Sequence, residues 1–379
     1  MLKEDFEKIK NKYVEKYQNE ILSLRKTYVD SYDDISNSMF IRLNQKYREL
    51  IISLIKDLND EFKKIYNINF CITLSGSLGR NSNTLFSDVD INYLSLDNDY
   101  DVIIEIEDKI NYIIQEVLQF RGKDKLHSMV VYLPLISNRN VKKLKDDNYE
   151  LTFVDGIINV PCRKNANKLL YETYNSTRNL DDVINYFNSY DTQDNINEWT
   201  YCFKFIYNDK YKEVFDKKRK TYRNSKNIKT FCNELIAEIK NDDLYLDIRE
   251  NQIENCKLKK IYKSNVLTNF YKLLAIDFRL EENIDEFVLD EFYLKSKLIR
   301  REVFECFYRY LDIVQNLQYI LDTKGIDLSS HSNEILKIDD INNSYKTIFY
   351  KDNILKDLNT HKNKLYDMCS DILGGIINE

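Results

Sequence analysis

Residues 70–94 read Phe70-Cys71-Ile72-Thr73-Leu74-Ser75-Gly76-Ser77-Leu78-Gly79-Arg80, then Asn81-Ser82-Asn83-Thr84-Leu85, then Phe86-Ser87-Asp88-Val89-Asp90-Ile91-Asn92-Tyr93-Leu94. The apolar run Phe70–Leu74 predicts a short buried strand that ends on a turn of small residues, and two of the chain's seven glycines fall in that turn. After a polar stretch, residues 88–94 predict a second strand. Residues two apart on a strand leave the same face. Asp88 and Asp90 therefore share one face, while Val89 and Ile91 point the other way, into a core. Two adjacent carboxylates repel each other unless a cation lies between them. Carboxylate oxygens suit a hard divalent ion, Mg²⁺ or Mn²⁺. A glycine lets the backbone approach a phosphate closely, and Ser77 adds a hydroxyl. Taken singly, an Asp-x-Asp is ordinarily a solvated face and a Gly-Ser a plain turn. Together, with a strand before the turn and apolar residues flanking both acids, they suit nucleotidyl transfer. There, metal ions neutralise the α-phosphate, activate the attacking oxygen and hold the leaving pyrophosphate.

The flanks complete an architecture. Phe6, Ile9, Tyr13, Tyr17, Ile21 and Leu24 recur at helical spacing, as do apolar residues from Met39 to Ile65, so residues 1–66 are expected to be helical. Residues 102–120 have helical periodicity, residues 125–136 predict a third strand, and a fourth is expected within Glu150–Val160. From about Asn165 onward the pattern is helical again. The expected class is α+β: a small mixed sheet domain over 67–165, between an N-terminal helical region (1–66) and an all-helical domain (166–379).

Composition narrows the function classes. The net charge of −6, from 56 basic and 62 acidic side chains, argues against non-specific nucleic-acid or membrane binding. One local basic run (Lys217, Lys218, Arg219, Lys220, Arg223, Lys226) reads equally well as a solvated helix face. The seven cysteines include no C-x-x-C pair and there are three histidines, which argues against a zinc site and for a reducing, cytoplasmic setting. The N-terminus mixes acids with bases and is not expected to be a signal peptide. No run of ~18 apolar residues suggests a membrane span.

The segment Gly76-Ser77-Leu78-Gly79-Arg80 followed by Phe86-Ser87-Asp88-Val89-Asp90 resembles the nucleotidyltransferase domain of protein-PII uridylyltransferases, within the DNA polymerase β-type superfamily. A weaker echo is Leu246-Asp247-Ile248-Arg249 with Leu258-Lys259-Lys260-Ile261, where Asn255-Cys256-Lys257 replaces the family's glycines. Another is the helical stretch Phe307-Tyr308-Arg309-Tyr310-Leu311 through Leu321. The likeness spans roughly residues 60–340. It implies that Asp88 and Asp90 hold metal and that Gly76, Ser77, Arg80 and Ser87 hold the nucleoside triphosphate. The charge of Arg249 and the Lys257–Lys263 cluster suits phosphate oxygens, with an exposed helical face as the plain alternative, and the echo favours function at Asp247 and Arg249. The likeness further implies UTP or ATP as donor and the hydroxyl of a small regulatory protein as acceptor. With 379 residues, the hydrolase and amino-acid-sensing domains of the full family enzymes are expected to be missing, and with them the reverse reaction.

The superfamily's third carboxylate has no plain counterpart. The stretch 125–135 contains no acid and carries His127 where one is expected. Asp124 and Asp155 are the leading catalytic candidates, with Glu150 behind them. Each reads first as a structural or surface acid and only second as catalytic, and His127 first as a core histidine. If none serves, the protein binds nucleotide without turning it over. A small molecule, a nucleotide or RNA as acceptor remains an alternative.

Overall fold

The computed structural model describes residues 3–32, 37–67, 70–74, 76–95, 100–119, 126–131, 141–143, 149–153, 156–160, 204–207, 212, 216, 228–242, 251–326, 328 and 334–378. Helix α1 (Lys3–Asp30) buries Ile9, Tyr13, Tyr17, Ile21, Leu24 and Tyr28, which fall three or four residues apart and form one stripe. Helix α2 (Asn37–Tyr66) presents a matching stripe from Phe40 to Phe62. The two helices pack together, and their seam is edged by polar contacts. Tyr17 donates to Asp57 (2.6 Å) and Tyr13 to Glu61 (3.0 Å).

Strand β1 (Phe70–Leu74) runs into the four-residue helical turn α3 (Gly76–Gly79), and β2 (Val89–Ser95) follows. Helix α4 (Tyr100–Leu118) crosses over to β3 (Leu126–Val131). Strands β1 and β2 are antiparallel, with Leu74 opposite Ile91, while β2 and β3 are parallel, with Asp90 opposite His127. A helix between parallel strands is the connection that such pairing needs. Strands β4 (Val141–Lys143), β5 (Tyr149–Phe153) and β6 (Gly156–Val160) form a separate antiparallel sheet. The stretch expected to hold one strand within 150–160 is thus a pair of strands.

Strand β7 (Lys204–Tyr207) joins the first sheet along β1, giving the order β3-β2-β1-β7. The sheet is mixed, as expected, and the α+β class holds. The region after residue 165 is not all-helical, however. It supplies this edge strand, and it also contains the pair β8 (Gln252–Glu254) and β9 (Ile335–Lys337). The reason is physical: strands of three or four residues leave too little periodicity to stand out from a helical background, and partners elsewhere in the chain complete their hydrogen bonds.

The remaining described helices are α5 (Ile228–Asn241), α6 (Asn255–Lys259), α7 (Asn265–Leu280), α8 (Leu289–Lys295), α9 (Arg301–Thr323), α10 (Ile338–Phe349) and α11 (Ile354–Asn378). A π-helical turn, Lys260–Ser264, joins α6 to α7. One apolar core runs from α1 through the sheet to α11. Helix α9 is central to it, and its polar residues on the buried side reach the N-terminal helix: the Tyr28 hydroxyl on α1 lies within hydrogen-bond distance of Asp312 Oδ1 (2.6 Å) and Asn316 Oδ1 (2.7 Å) and donates its one proton between them. Among the described residues no helix is long and apolar enough to cross a membrane.

An acid lies inside this core. Asp277 on α7 is fully buried, and burial raises its pKa to about 6; Ser296 offsets part of the rise and Glu281 adds to it. Below the unfolded pKa near 3.8 the group is neutral in both states, so folding buries no charge there and the fold keeps its full stability. As pH rises through the folded value, that stability is lost. Asp277→Asn is therefore expected to stabilise the protein by up to about 3 kcal/mol above pH 7 and to change little near pH 4. Thermal melts of both proteins across that range read the difference, and a pH-independent offset would refute the assignment.

Candidate functional site

Gly76 opens the turn after β1 with φ +58°, a left-handed conformation that glycine adopts without a side-chain clash. The space where a side chain would stand is taken by the Asp90 carboxylate, whose Oδ2 occupies the position of a Cβ on Gly76, with its Cγ 3.0 Å from that position. Val89 and Ile91 are buried while Asp88 and Asp90 are partly exposed. The alternation expected from the sequence is therefore present, and Asp90 lies directly against the turn that carries Ser77.

The turn is held from below. Arg48 donates to the carbonyl of Leu78 (2.6 Å), Ser82 N to that of Ser77 (2.9 Å), and Leu289 N at the start of α8 to that of Arg80 (2.8 Å). Asn81, also at positive φ, donates to Asp290. The Ser77 hydroxyl stands apart from this bonding: it is buried and finds no hydrogen-bond partner among the described residues. A buried polar atom without a partner costs roughly 1–3 kcal/mol, a cost that a bound phosphate or its metal would relieve.

The polar stretch between turn and β2 is buried and clamped on both sides. From α9, Gln315 accepts from Leu85 N (2.8 Å), and Gln318 accepts from Thr84 Oγ1 (2.6 Å). From α1, the Arg25 guanidinium donates to the carbonyls of Leu85 (3.1 Å) and Leu118 (2.5 Å) and stands over the Phe86 ring. Ser87 Oγ accepts from Thr84 N (2.9 Å). These bonds fix the loop that delivers Asp88 and Asp90 onto β2.

Lys263, on the π-helical turn, places Nζ 3.5 Å from Asp88 Oδ1, and both side chains are largely enclosed (12% and 19% exposed). Tyr47 lies beneath. Burial raises the pKa of its phenol to about 12, with Arg25 opposing the rise and the charge of Asp88 adding to it.

The expected site residues thus divide. Asp90 meets Gly76, the neighbour of Ser77, while Asp88 stands one residue before β2, partly exposed and beside Lys263. Ser87 and Arg80 lie in the supporting layer: Ser87 bonds within its own loop, and the Arg80 guanidinium is buried 3.9 Å over the Tyr271 ring. Asp124, Asp155 and Arg249 lie outside the described residues, as do Asp247 and the basic residues Lys217–Lys226. Glu150 lies on β5, and His127 is the β3 neighbour of Asp90. Among the described residues no group of three or more His, Cys, Asp or Glu is placed to hold a metal ion. Sequence reasoning missed Arg25, Gln315, Gln318 and Tyr271. Arg25 left a signal, a lone cation within the apolar stripe Ile21, Leu24, Tyr28. The glutamines left none, because their partners are more than 200 residues away. Neither a protein-family model nor a curated protein sequence matches this chain.

Proposed function

We propose that this protein is a metal-dependent nucleotidyltransferase with a polymerase β-type catalytic centre, transferring a nucleoside monophosphate from an NTP to an acceptor hydroxyl with release of pyrophosphate. The observation that carries this reading is the packing of the Asp90 carboxylate against Gly76, beside the unpartnered Ser77 hydroxyl. The donor set suits a hard divalent ion: two carboxylates two residues apart at the start of β2, both partly exposed while Val89 between them is buried.

Asp88 and Asp90 would hold Mg²⁺ or Mn²⁺, which when bound supplies charge neutralisation at the triphosphate. Ser77 donates its hydroxyl to a phosphate oxygen, and Gly76 leaves room for that close approach. Arg25, Gln315 and Gln318 keep the acids in place, because catalysis by positioning fails when the groups are loose. The acceptor oxygen forms a bond to the α-phosphorus, the bond to the bridging oxygen breaks, and the acceptor's proton leaves to a base or to solvent. By resemblance the acceptor is a protein hydroxyl and the donor UTP or ATP. A small molecule, a nucleotide or RNA is the rival acceptor.

A second reading has its own support. The β3 residue in register with Asp90 is His127, not an acid, which favours a protein that binds NTP without turnover. The test incubates the protein with each α-labelled NTP, Mg²⁺ or Mn²⁺, and candidate acceptors, and follows pyrophosphate and label. Metal-dependent pyrophosphate release with label on an acceptor is the expected result. Tight NTP binding with neither product would select the second reading, and no NTP binding would overturn both.

A further inference from the structure

We infer that Lys263 makes metal binding at Asp88 depend on the nucleotide, by neutralising Asp88 in the resting protein and turning to the triphosphate when both ligands enter. This rests on the reading of Asp88 as a metal ligand given above.

The argument starts from the helix that carries the lysine. Residues 255–280 are helical throughout but widen into a π-turn at Lys260–Ser264. Such widenings are rare and often lie at functional sites, because they rotate the residues that follow out of the regular α-helical register. This one is firmly seated. Ile261 and Tyr262 are buried beneath it, and Tyr310 on α9 donates to the Tyr262 carbonyl at 2.7 Å. The next turns of α7 dock on the catalytic loop through Tyr271, which meets Arg80 and Ser82. The Lys263 ammonium is therefore delivered to Asp88 on a braced support.

An enclosed ammonium at 3.5 Å satisfies part of the charge that a dication would satisfy. A metal arriving alone must take Asp88 from it and leave two cationic centres close together in a partly desolvated site, where like charges repel strongly. A triphosphate arriving with the metal gives the displaced ammonium an anion. Metal and nucleotide then bind cooperatively, and the coupling is reciprocal by linkage.

The test measures Mn²⁺ affinity by the paramagnetic resonance of free Mn²⁺, and the affinity for α,β-methylene analogues of UTP and ATP in Mn²⁺, for wild type, Lys263→Met, Lys263→Arg and Asp88→Asn. Methionine keeps most of the apolar stem, and Lys263→Gln replaces it if that variant does not fold. Lys263→Met is expected to bind Mn²⁺ alone about tenfold more tightly and the analogue about tenfold more weakly, with Lys263→Arg near wild type. If Mn²⁺ affinity is unchanged in Lys263→Met while Asp88→Asn loses it, the coupling role is overturned and the metal site stands. If Asp88→Asn binds Mn²⁺ as wild type does, the metal-site reading fails and this inference with it.

Discussion

Asp88→Asn and Asp90→Asn are each expected to lower metal-dependent turnover by about 10³-fold, while the protein melts within about 1 kcal/mol of wild type. The large effect and the small one have the same origin. Asn keeps the shape of the side chain but loses the charge that, on the proposed reading, would gather a divalent ion, so the catalytic term would be removed almost whole. The fold hardly depends on that charge, because Val89 and Ile91 provide the strand's core contacts and Asp88 and Asp90 stay partly exposed. At Asp88 the variant also gives up the ion pair with Lys263, a modest loss that is offset by relief of the repulsion between the two acids. Steady-state pyrophosphate release and calorimetric melts read the two quantities separately. Full activity in both variants would remove the chemical basis for the site.

Gly76→Ala is the other large expectation, and it acts on stability and activity at once. Alanine at φ +58° is strained, and its methyl would occupy the position of the Asp90 carboxylate. Strain and collision together are expected to destabilise the fold by about 1–3 kcal/mol. The displaced Asp90 should also carry turnover down towards the level of Asp90→Asn. Gly374 and Gly375 provide the internal comparison. Both lie on α11, and a Cβ added at either would meet nothing within 4 Å, so alanine there should stabilise by roughly 0.5–1 kcal/mol through helix propensity alone. Urea unfolding of the three variants separates the cases. A Gly76→Ala protein as stable as the Gly374→Ala protein would show that the carboxylate does not press on the turn.

Much of the site's inner ring was legible because it is local. The strand, the glycine turn and the alternating acids lie within residues 70–94, and two-residue periodicity places both carboxylates on one face whatever surrounds them. Gly76 was legible as a turn residue, but the reason it must be glycine was not. That reason is the carboxylate of Asp90, folded back against its Cα from the far side of the loop. Arg80 and Ser87 belonged to the same motif, yet they are seated in the supporting layer, since Tyr271 and Thr84 provide their contacts. The basic cluster at 257–263 was visible as charge. That Lys263 within it meets Asp88 follows from the widened turn, which the sequence does not announce.

The sequence by itself determined the long amphipathic helices, the β1–turn–β2 unit and the facing of Asp88 and Asp90, because each depends on backbone geometry and neighbours a few residues away. Tertiary structure alone decided the edge strand Lys204–Tyr207, the Arg25–Gln315–Gln318 clamp and the Lys263–Asp88 pair. Those are meetings between segments distant in the chain, fixed by how apolar faces bury one another and by the need of enclosed polar groups to find a partner.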